Sequence, residues 1–160
     1  MKIFYLAAFF AFLLDQVTKW VVVHGLNLKQ LLSIDVIPPL LNFRMGWNDG
    51  INFGLFGNSP EIMRWVLIGL AIVISGWLIW WSKRTLSRTI TLVGAGFVVG
   101  GALGNALDRI IYGAVADFLN MSCCGFSNPY TFNVADIAIF FGAFCLIAYD
   151  DPKPEASKPA

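Results

Sequence analysis

Four long runs of apolar residues dominate the pattern along the chain. They cover residues 4–23, 63–81, 90–107 and 132–149. A helix needs about 20 apolar residues to cross the hydrocarbon core of a bilayer. The pattern therefore predicts an all-α polytopic membrane protein with four transmembrane helices.

The segment between the first two runs has a different period. Apolar and polar positions alternate from residue 41 to residue 47, which is typical of a β-strand. Asn48-Asp49-Gly50 is a turn signal, after which the alternation resumes over residues 51–55. We expect a small extracytoplasmic β-hairpin, or cradle, beside the helices. Residues 26–37 are ambiguous and are compatible with a short interfacial helix that ends at Pro38-Pro39.

Composition supports a membrane protein. The chain is 58% hydrophobic and 13% charged, with a mean hydropathy of +0.69, whereas a soluble domain has about 25% charged residues. The net charge of +1 argues against a nucleic-acid partner, which would require a basic face. We expect one membrane-embedded domain over residues 1–150 and a polar, disordered tail over residues 151–160.

Charge placement predicts the orientation. The short loop between the second and third runs carries Lys83, Arg84 and Arg88 and no acid. By the positive-inside rule this loop is cytoplasmic, so both termini are cytoplasmic and the two long loops face outward. The first run is expected to be retained, because no small-x-small cleavage site follows it and apolar residues resume after Lys19.

Several charged or amide side chains then converge near the outer leaflet. They are Asp15, Lys19, Asn105, Asp108, Arg109, Asp117 and Asp136. Ionisable groups at membrane depth are costly and usually mark function. Asp117 and Asp136 together suggest a pair of carboxyl groups that share one proton, which is an acid–base arrangement.

Each of these residues also has a structural interpretation. Asp15 and Lys19 form an i, i+4 pair that would neutralise itself. Asn105 is suited to an interhelical hydrogen bond. Asp108 lies at a helix end, where its charge would reach water. If Asn133 is an N-cap, Asp136 is residue N3 of a helix, where a carboxylate satisfies backbone donors.

Other chemistries fit less well. His24 is the only histidine and no CxxC pair is present, so we expect no metal and no cofactor. The segment 73–76 lacks the first glycine of the GxSG motif of rhomboid peptidases, and no GxGD is present. Cys145 is expected in the core, and the adjacent Cys123 and Cys124 in an outer loop.

A glycine every fourth residue in the third run predicts close helix packing: Gly96, Gly100 and Gly104.

Four ordered motifs resemble those of bacterial lipoprotein signal peptidase, also called signal peptidase II. The first is Asp15-Gln16-Val17-Thr18-Lys19. The second comprises Asn42-Phe43 and the segment 48–54, and the third runs over residues 100–109 and on through Gly113, Val115, Asp117 and Phe118. The last is Phe132-Asn133-Val134-Ala135-Asp136-Ile137-Ala138, with Gly142. The chain departs from the family pattern at Asp49, Asn52 and Ala116, and the segment 121–130 matches no family motif.

The resemblance implies that Asp117 and Asp136 are the catalytic dyad of an intramembrane aspartic endopeptidase. It implies eight further residues that bind substrate or support the site: Asp15, Lys19, Asn48, Gly50, Asn105, Arg109, Asn133 and Ala135. The implied substrate is a prolipoprotein whose signal peptide is cut just before a diacylglyceryl-modified Cys. We further expect a monomer in contact with membrane lipid in the bacterial cytoplasmic (inner) membrane, with the active site near the extracytoplasmic face.

Two alternatives belong to other classes of protein. A small proton- or ion-coupled transporter would also place acids and Asn at membrane depth, but the first two runs do not resemble the last two as an inverted repeat would require. A non-enzymatic assembly factor could use the glycine face for helix pairing, yet it would leave the polar convergence unexplained.

The predicted orientation can be tested with reporter fusions. A reporter after Ala160 should be cytoplasmic, and a reporter inserted within residues 121–130 should be extracytoplasmic, because one predicted span separates the two positions and the basic loop sets the orientation. Reporters on the same side of the membrane would contradict this topology.

Overall fold

The computed structural model describes residues 1–50 and 60–149, and these residues form helices around one small sheet. The helices are α1 (Lys2–Lys19), which continues as a π-helical segment (Trp20–Gly25), α2 (Leu28–Leu31), α3 (Pro60–Thr85), α4 (Thr89–Tyr112) and α5 (Val134–Ala148). Three helical segments are long and apolar enough to cross a membrane: Lys2–Gly25, Glu61–Thr85 and Thr89–Tyr112. They coincide with the first three predicted spans and extend each of them.

The fourth predicted span is shorter than its apolar run. α5 has 15 residues and is about 22 Å long, against about 30 Å for the hydrocarbon core. The run over residues 132–149 overestimates the helix because Phe132 exchanges backbone hydrogen bonds with Leu119 instead of entering it. The structure therefore confirms a mostly helical protein with three long apolar helices, and the count of four spans stays a prediction.

α4 is the central helix and packs against α1, α3 and α5. Its glycines allow the backbones of α1 and α4 to approach closely: a Cβ at Gly96 would lie 2.5 Å from the carbonyl oxygen of Phe4, and one at Gly100 would overlap that of Ala8. The predicted close packing of this glycine face is confirmed. α1 and α4 are therefore in van der Waals contact along this face. Such packing drives helix association in a bilayer.

A second glycine face of α4 meets α5. A Cβ at Gly101 would lie 2.5 Å from the carbonyl oxygen of Ala135, and one at Gly94 would lie 2.8 Å from that of Gly142. This contact holds the first turn of α5 directly beside α4. It therefore positions the residues at the start of α5 against those near the end of α4.

The sheet has three antiparallel strands in the order β1 (Ser33–Ile37), β2 (Leu41–Asn48) and β3 (Val115–Asn120). Its apolar face packs on the π-helical segment and α2 through a cluster that contains Val22, Leu28 and Phe118. This arrangement closes one end of the helix bundle, called the sheet end below.

The alternation over residues 41–47 correctly predicted a strand, but its partners differ from the predicted hairpin. β2 pairs with β1 before it and with β3, so the turn between β1 and β2 is at residues 38–40. The ambiguous segment 26–37 forms a short helix only over Leu28–Leu31, because residues 33–37 form β1 through backbone pairing with β2. The predicted second arm over residues 51–55 and the predicted disordered tail over residues 151–160 lie outside the described residues.

The close contact at Gly100 can be tested with Gly100→Ala. The added methyl would overlap the backbone of α1, and overpacking costs roughly 1–3 kcal/mol. Gly69→Ala in α3 is the matched control, since no atom lies within 4 Å of the added methyl. We expect a lower melting temperature in detergent for Gly100→Ala alone. Equal melting temperatures for the two variants would contradict the packing argument.

Candidate active site

The start of α5 is built as a reciprocal capping box. Asn133 is the N-cap, and its Oδ1 accepts a hydrogen bond from the backbone N–H of Asp136 at 3.0 Å. The Asp136 carboxylate accepts one from the Asn133 backbone N–H at 3.2 Å. The structural interpretation of Asp136 as an N3 residue is therefore correct, and the box fixes the position of both side chains.

Asp117 lies in β3, the strand that follows α4. Its side chain is only 3% exposed. Asn48 of β2 donates to its Oδ2 at 3.0 Å, and Asn133 donates to its Oδ1 at 2.6 Å. The pairing of β2 with β3 brings Asn48 beside Asp117, although the two residues are far apart in sequence.

Two amides connect the carboxyl groups of Asp117 and Asp136. The Asn133 side chain that donates to Asp117 also donates to Oδ1 of Asn105 at 3.1 Å. The Asn105 amide in turn donates to Oδ1 of Asp136 at 3.0 Å. Asp117 and Asp136 are thus held in one hydrogen-bonded group at the sheet end of α4 and α5.

The pKa of Asp117 departs strongly from its ordinary value. Burial raises it, and the hydrogen bond from Asn48 opposes that shift. The nearby charge of Asp136 raises it further, whereas Asn133 and the positive charge of Lys19 lower it, and the pKa reaches about 6. A carboxyl group with this pKa can hold or release a proton near neutral pH, which acid–base catalysis requires.

Lys19 links Asn105 of this group to two further carboxylates. Its ammonium is buried and lies 2.8 Å from Oδ2 of Asp15 and 2.8 Å from Oδ2 of Asp108. It also donates to Oδ1 of Asn105 at 3.1 Å. The predicted i, i+4 pair with Asp15 exists, but the same ammonium reaches α4 and the amide that holds Asp136.

Asp108 is buried, at 1% exposure, so the interpretation that its charge reaches water is wrong. Its Oδ2 pairs with Lys19 and accepts a hydrogen bond from the backbone N–H of Ala116 at 3.1 Å. Ala116 directly precedes Asp117. Asp108 therefore ties α4 to the segment of β3 that carries Asp117, and its place on one helical face with Asn105 was the signal for this role.

Asp15 completes the contact between α1 and α5. Its Oδ1 accepts a hydrogen bond from the backbone N–H of Ala135 at 2.9 Å. Ala135 thus contributes a backbone donor and a small side chain. The group also contains Gln16, which was not among the predicted site residues although it is adjacent to Asp15. Its amide donates at 3.1 Å to both Asp15 and Asp108.

Gly50 and Arg109 lie at the margin of the group. Gly50 has φ +90°, a conformation that favours glycine, and its N–H donates to the side chain of Asn48 at 3.0 Å. Arg109 donates to the backbone carbonyl of Asn105 at 3.3 Å. Its positive charge interacts electrostatically with the negative charges of Asp117 and Asp136. The structure places all ten predicted site residues in or beside one group.

Asp117 and Asp136 each line a groove. Asp117 lines a polar groove of about 430 Å³ together with residues 46–50 and 129–131. Asp136 borders an apolar groove of about 470 Å³ lined by Phe132, Ile137, Phe140 and Phe141. One carboxyl group of the hydrogen-bonded group therefore lies at a polar surface and the other at an apolar one.

The cysteines lie apart from the hydrogen bonds of the dyad. Cys123 and Cys124 form a disulfide in the loop between β3 and α5. Cys145 is free and buried in α5, as predicted. Within residues 1–50 and 60–149, no group of three or more His, Cys, Asp and Glu side chains is placed to hold a metal ion.

Three long apolar helices are typical of an integral membrane protein, and a buried group of carboxyl and amide side chains lies at its sheet end. The sequence profile of the signal peptidase (SPase) II family matches residues 7–150. The chain therefore belongs to the signal peptidase II family, and it is a peptidase.

Individual relatives agree with this assignment. The chain is 40% identical to the lipoprotein signal peptidase of Methylobacterium radiotolerans, over 96% of this chain and 87% of that protein. It is 36% identical to the lipoprotein signal peptidase of a Nostoc species, over 98% and 94% of the two chains. Two solved structures of a bacterial membrane enzyme share the fold. One has a TM-score of 0.78 at 26% identity over 92% of each chain, and the other 0.74 at 27% identity over 92% of this chain and 87% of that one.

The raised pKa of Asp117 predicts a stability that depends on pH. Because the pKa rises from 3.8 to about 6 on folding, the folded protein binds more protons than the unfolded chain between these pH values. The contribution of Asp117 to the free energy of unfolding therefore falls as the pH rises through this window and stays low above it. Asp117→Asn should gain roughly 2–3 kcal/mol relative to the wild type between pH 4 and pH 7.

The measurement is the difference in melting temperature between Asp117→Asn and the wild type across this pH range. Asp35→Asn, which removes an exposed carboxylate on β1, is the control for the loss of one negative charge. A difference for Asp117→Asn that does not change with pH would contradict the raised pKa of Asp117.

Proposed function

We propose that this peptidase removes the signal peptide from diacylglyceryl-modified prolipoproteins and cuts just before the lipidated Cys. The observation that carries the proposal is the pair Asp117 and Asp136, joined through Asn133 and Asn105, with Asp117 in the polar groove and Asp136 in the apolar one. The names of the relatives, lipoprotein signal peptidases, support the choice of substrate.

With substrate bound, Asp117 holds the shared proton and Asp136 is the proton acceptor. Burial favours the neutral form of Asp117, and substrate in the polar groove would exclude more water and raise its pKa further. Asp136 accepts hydrogen bonds from Asn105 and from the Asn133 backbone at the N-terminus of α5, an arrangement suited to an acceptor with negative charge.

The reaction then needs one water molecule. Asp136 removes a proton from the water as its oxygen attacks the scissile carbonyl, and Asp117 donates a hydrogen bond to the developing oxyanion. When the C–N bond breaks, the dyad returns a proton to the leaving nitrogen. The products are a new carboxyl group on the signal peptide and a free amino group on the lipidated Cys.

The supporting residues position this dyad. Asn133 and Asn105 set the orientation of the two carboxyl groups, and Lys19 holds Asn105 from behind. Asn48 fixes the second oxygen of Asp117, and Gly50 orients Asn48. Arg109, at the edge of a third groove between α3, α4 and α5, is placed to bind a backbone carbonyl of the substrate.

The two grooves match the two halves of the substrate. The polar groove under β2 suits the extended backbone around the scissile bond, and the apolar groove on α5 suits hydrocarbon. We propose that the protein acts as a monomer in the bacterial inner membrane, with four spans, cytoplasmic termini and the sheet end at the extracytoplasmic face. No observation favours the transporter alternative.

Cleavage of a defined substrate is the direct test. Purified protein in lipid should cut a prolipoprotein that carries a diacylglyceryl-modified Cys, and mass spectrometry should place the cut just before that residue. The same prolipoprotein with an unmodified Cys is the matched control. Cleavage at another bond, or equal cleavage of both substrates, would refute the proposed specificity.

The dyad is tested by Asp117→Asn and Asp136→Asn. Each should lower kcat by at least roughly 10²-fold while the protein stays folded, because an amide can serve neither as the acid nor as the base. Asp35→Asn is a control for the loss of one carboxylate and should keep full activity. Near-normal turnover by either dyad variant would exclude the aspartic mechanism.

A further inference from the structure

A small polar chamber lies behind Lys19, outside both grooves. Its volume is about 60 Å³, and three of its lining residues carry polar side chains of the buried group: Gln16, Lys19 and Asp108. His24 and Tyr112 also line it and hydrogen-bond to each other at 3.2 Å, which ties the π-helical end of α1 to the end of α4.

The chemistry of the lining fits water. One molecule of liquid water occupies about 30 Å³, so the chamber has room for about two. A buried water needs two to four polar partners, and the chamber offers a carboxylate, an ammonium, an amide and the His24–Tyr112 pair. An apolar occupant would leave the charges of Lys19 and Asp108 facing hydrocarbon, which is unfavourable.

The chamber shares a wall with the polar groove of Asp117. Trp47 lines both spaces, and Ala116, which also lines the chamber, is the residue directly before Asp117. Trp47 and Ala116 are paired across β2 and β3, so this part of the sheet lies between the chamber and the polar groove of Asp117.

Peptide hydrolysis consumes one water per turnover, but a peptide bound in the polar groove excludes water from that side. We propose that the chamber is a water site that supplies the dyad from behind, past Trp47, while substrate fills the groove. This inference rests on the proposed peptidase mechanism and adds to it the route of the reacting water.

Val23 allows the chamber to be filled without touching the dyad. It lines the chamber and is 2% exposed, whereas Val21 on the same π-helical segment is 42% exposed and lies outside it. Val23→Phe should displace the water and lower kcat by roughly tenfold or more, with KM for the lipidated substrate little changed. Val21→Phe adds the same ring on the exposed face and should leave kcat, KM and melting temperature as in the wild type.

A crystal structure of the wild type should show ordered water in the chamber, and one of Val23→Phe should show none. A dry wild-type chamber would overturn the proposal, as would a folded Val23→Phe protein that lacks the water and keeps the kcat of Val21→Phe. If Val23→Phe does not fold, Val23→Ile against Val21→Ile decides the question, with a lower kcat for Val23→Ile expected and equal values contradicting the proposal.

These outcomes are separate from those that test the proposed function. If the wild type fails to cleave the lipidated prolipoprotein, the proposed function fails whatever the chamber holds. If the wild type cleaves it and the filled chamber makes no difference to kcat, only the water route fails.

Discussion

The buried ammonium of Lys19 is the interaction on which the rest of the site depends. It pairs with Asp15 on its own helix and with Asp108 on α4, both at 2.8 Å. Oδ1 of Asp15 accepts a hydrogen bond from the backbone N–H of Ala135, and Oδ2 of Asp108 also accepts one from that of Ala116; these alanines directly precede Asp136 and Asp117. Removal of one partner from a buried pair leaves an uncompensated charge, which costs several kcal/mol. α1, α4, β3 and α5 are thereby held in one arrangement.

Asn133 shows how one residue serves both the fold and the site. Its Oδ1 caps α5, and its amide nitrogen connects Asp117 with Asn105. An N-cap contributes about 1 kcal/mol to a helix, but here it also fixes the distance between two carboxyl groups. The structural and the catalytic interpretations of Asp136 are therefore compatible, because the capping box that accounts for an acid at N3 also holds that acid beside the dyad amides.

The glycine faces of α4 make this arrangement possible. A larger side chain at Gly100 or Gly101 would separate α4 from α1 or α5. At the level of the site, a Cβ at Gly104 would lie 2.7 Å from Oδ2 of Asp15. Smooth helix surfaces thus bring three helices close enough for short side chains such as Asp and Asn to hydrogen-bond directly, which gives the network its rigidity.

The sequence by itself determined the long helices, the strand over residues 41–47 and the N-cap at Asn133, because hydrophobic period and capping chemistry are local properties of the chain. It also identified the dyad candidates, because ionisable residues near apolar segments usually mark function. Only the tertiary structure decided that residues 33–37 are a strand, that Asp117 lies in one, that α5 begins after Phe132, and that Asp108 and Gln16 belong to the buried group. Strand pairing and the burial of a charge depend on residues far away in the sequence. A local pattern cannot show whether a terminal acid such as Asp108 meets water or the ammonium of another helix, since both outcomes are compatible with the same neighbouring residues.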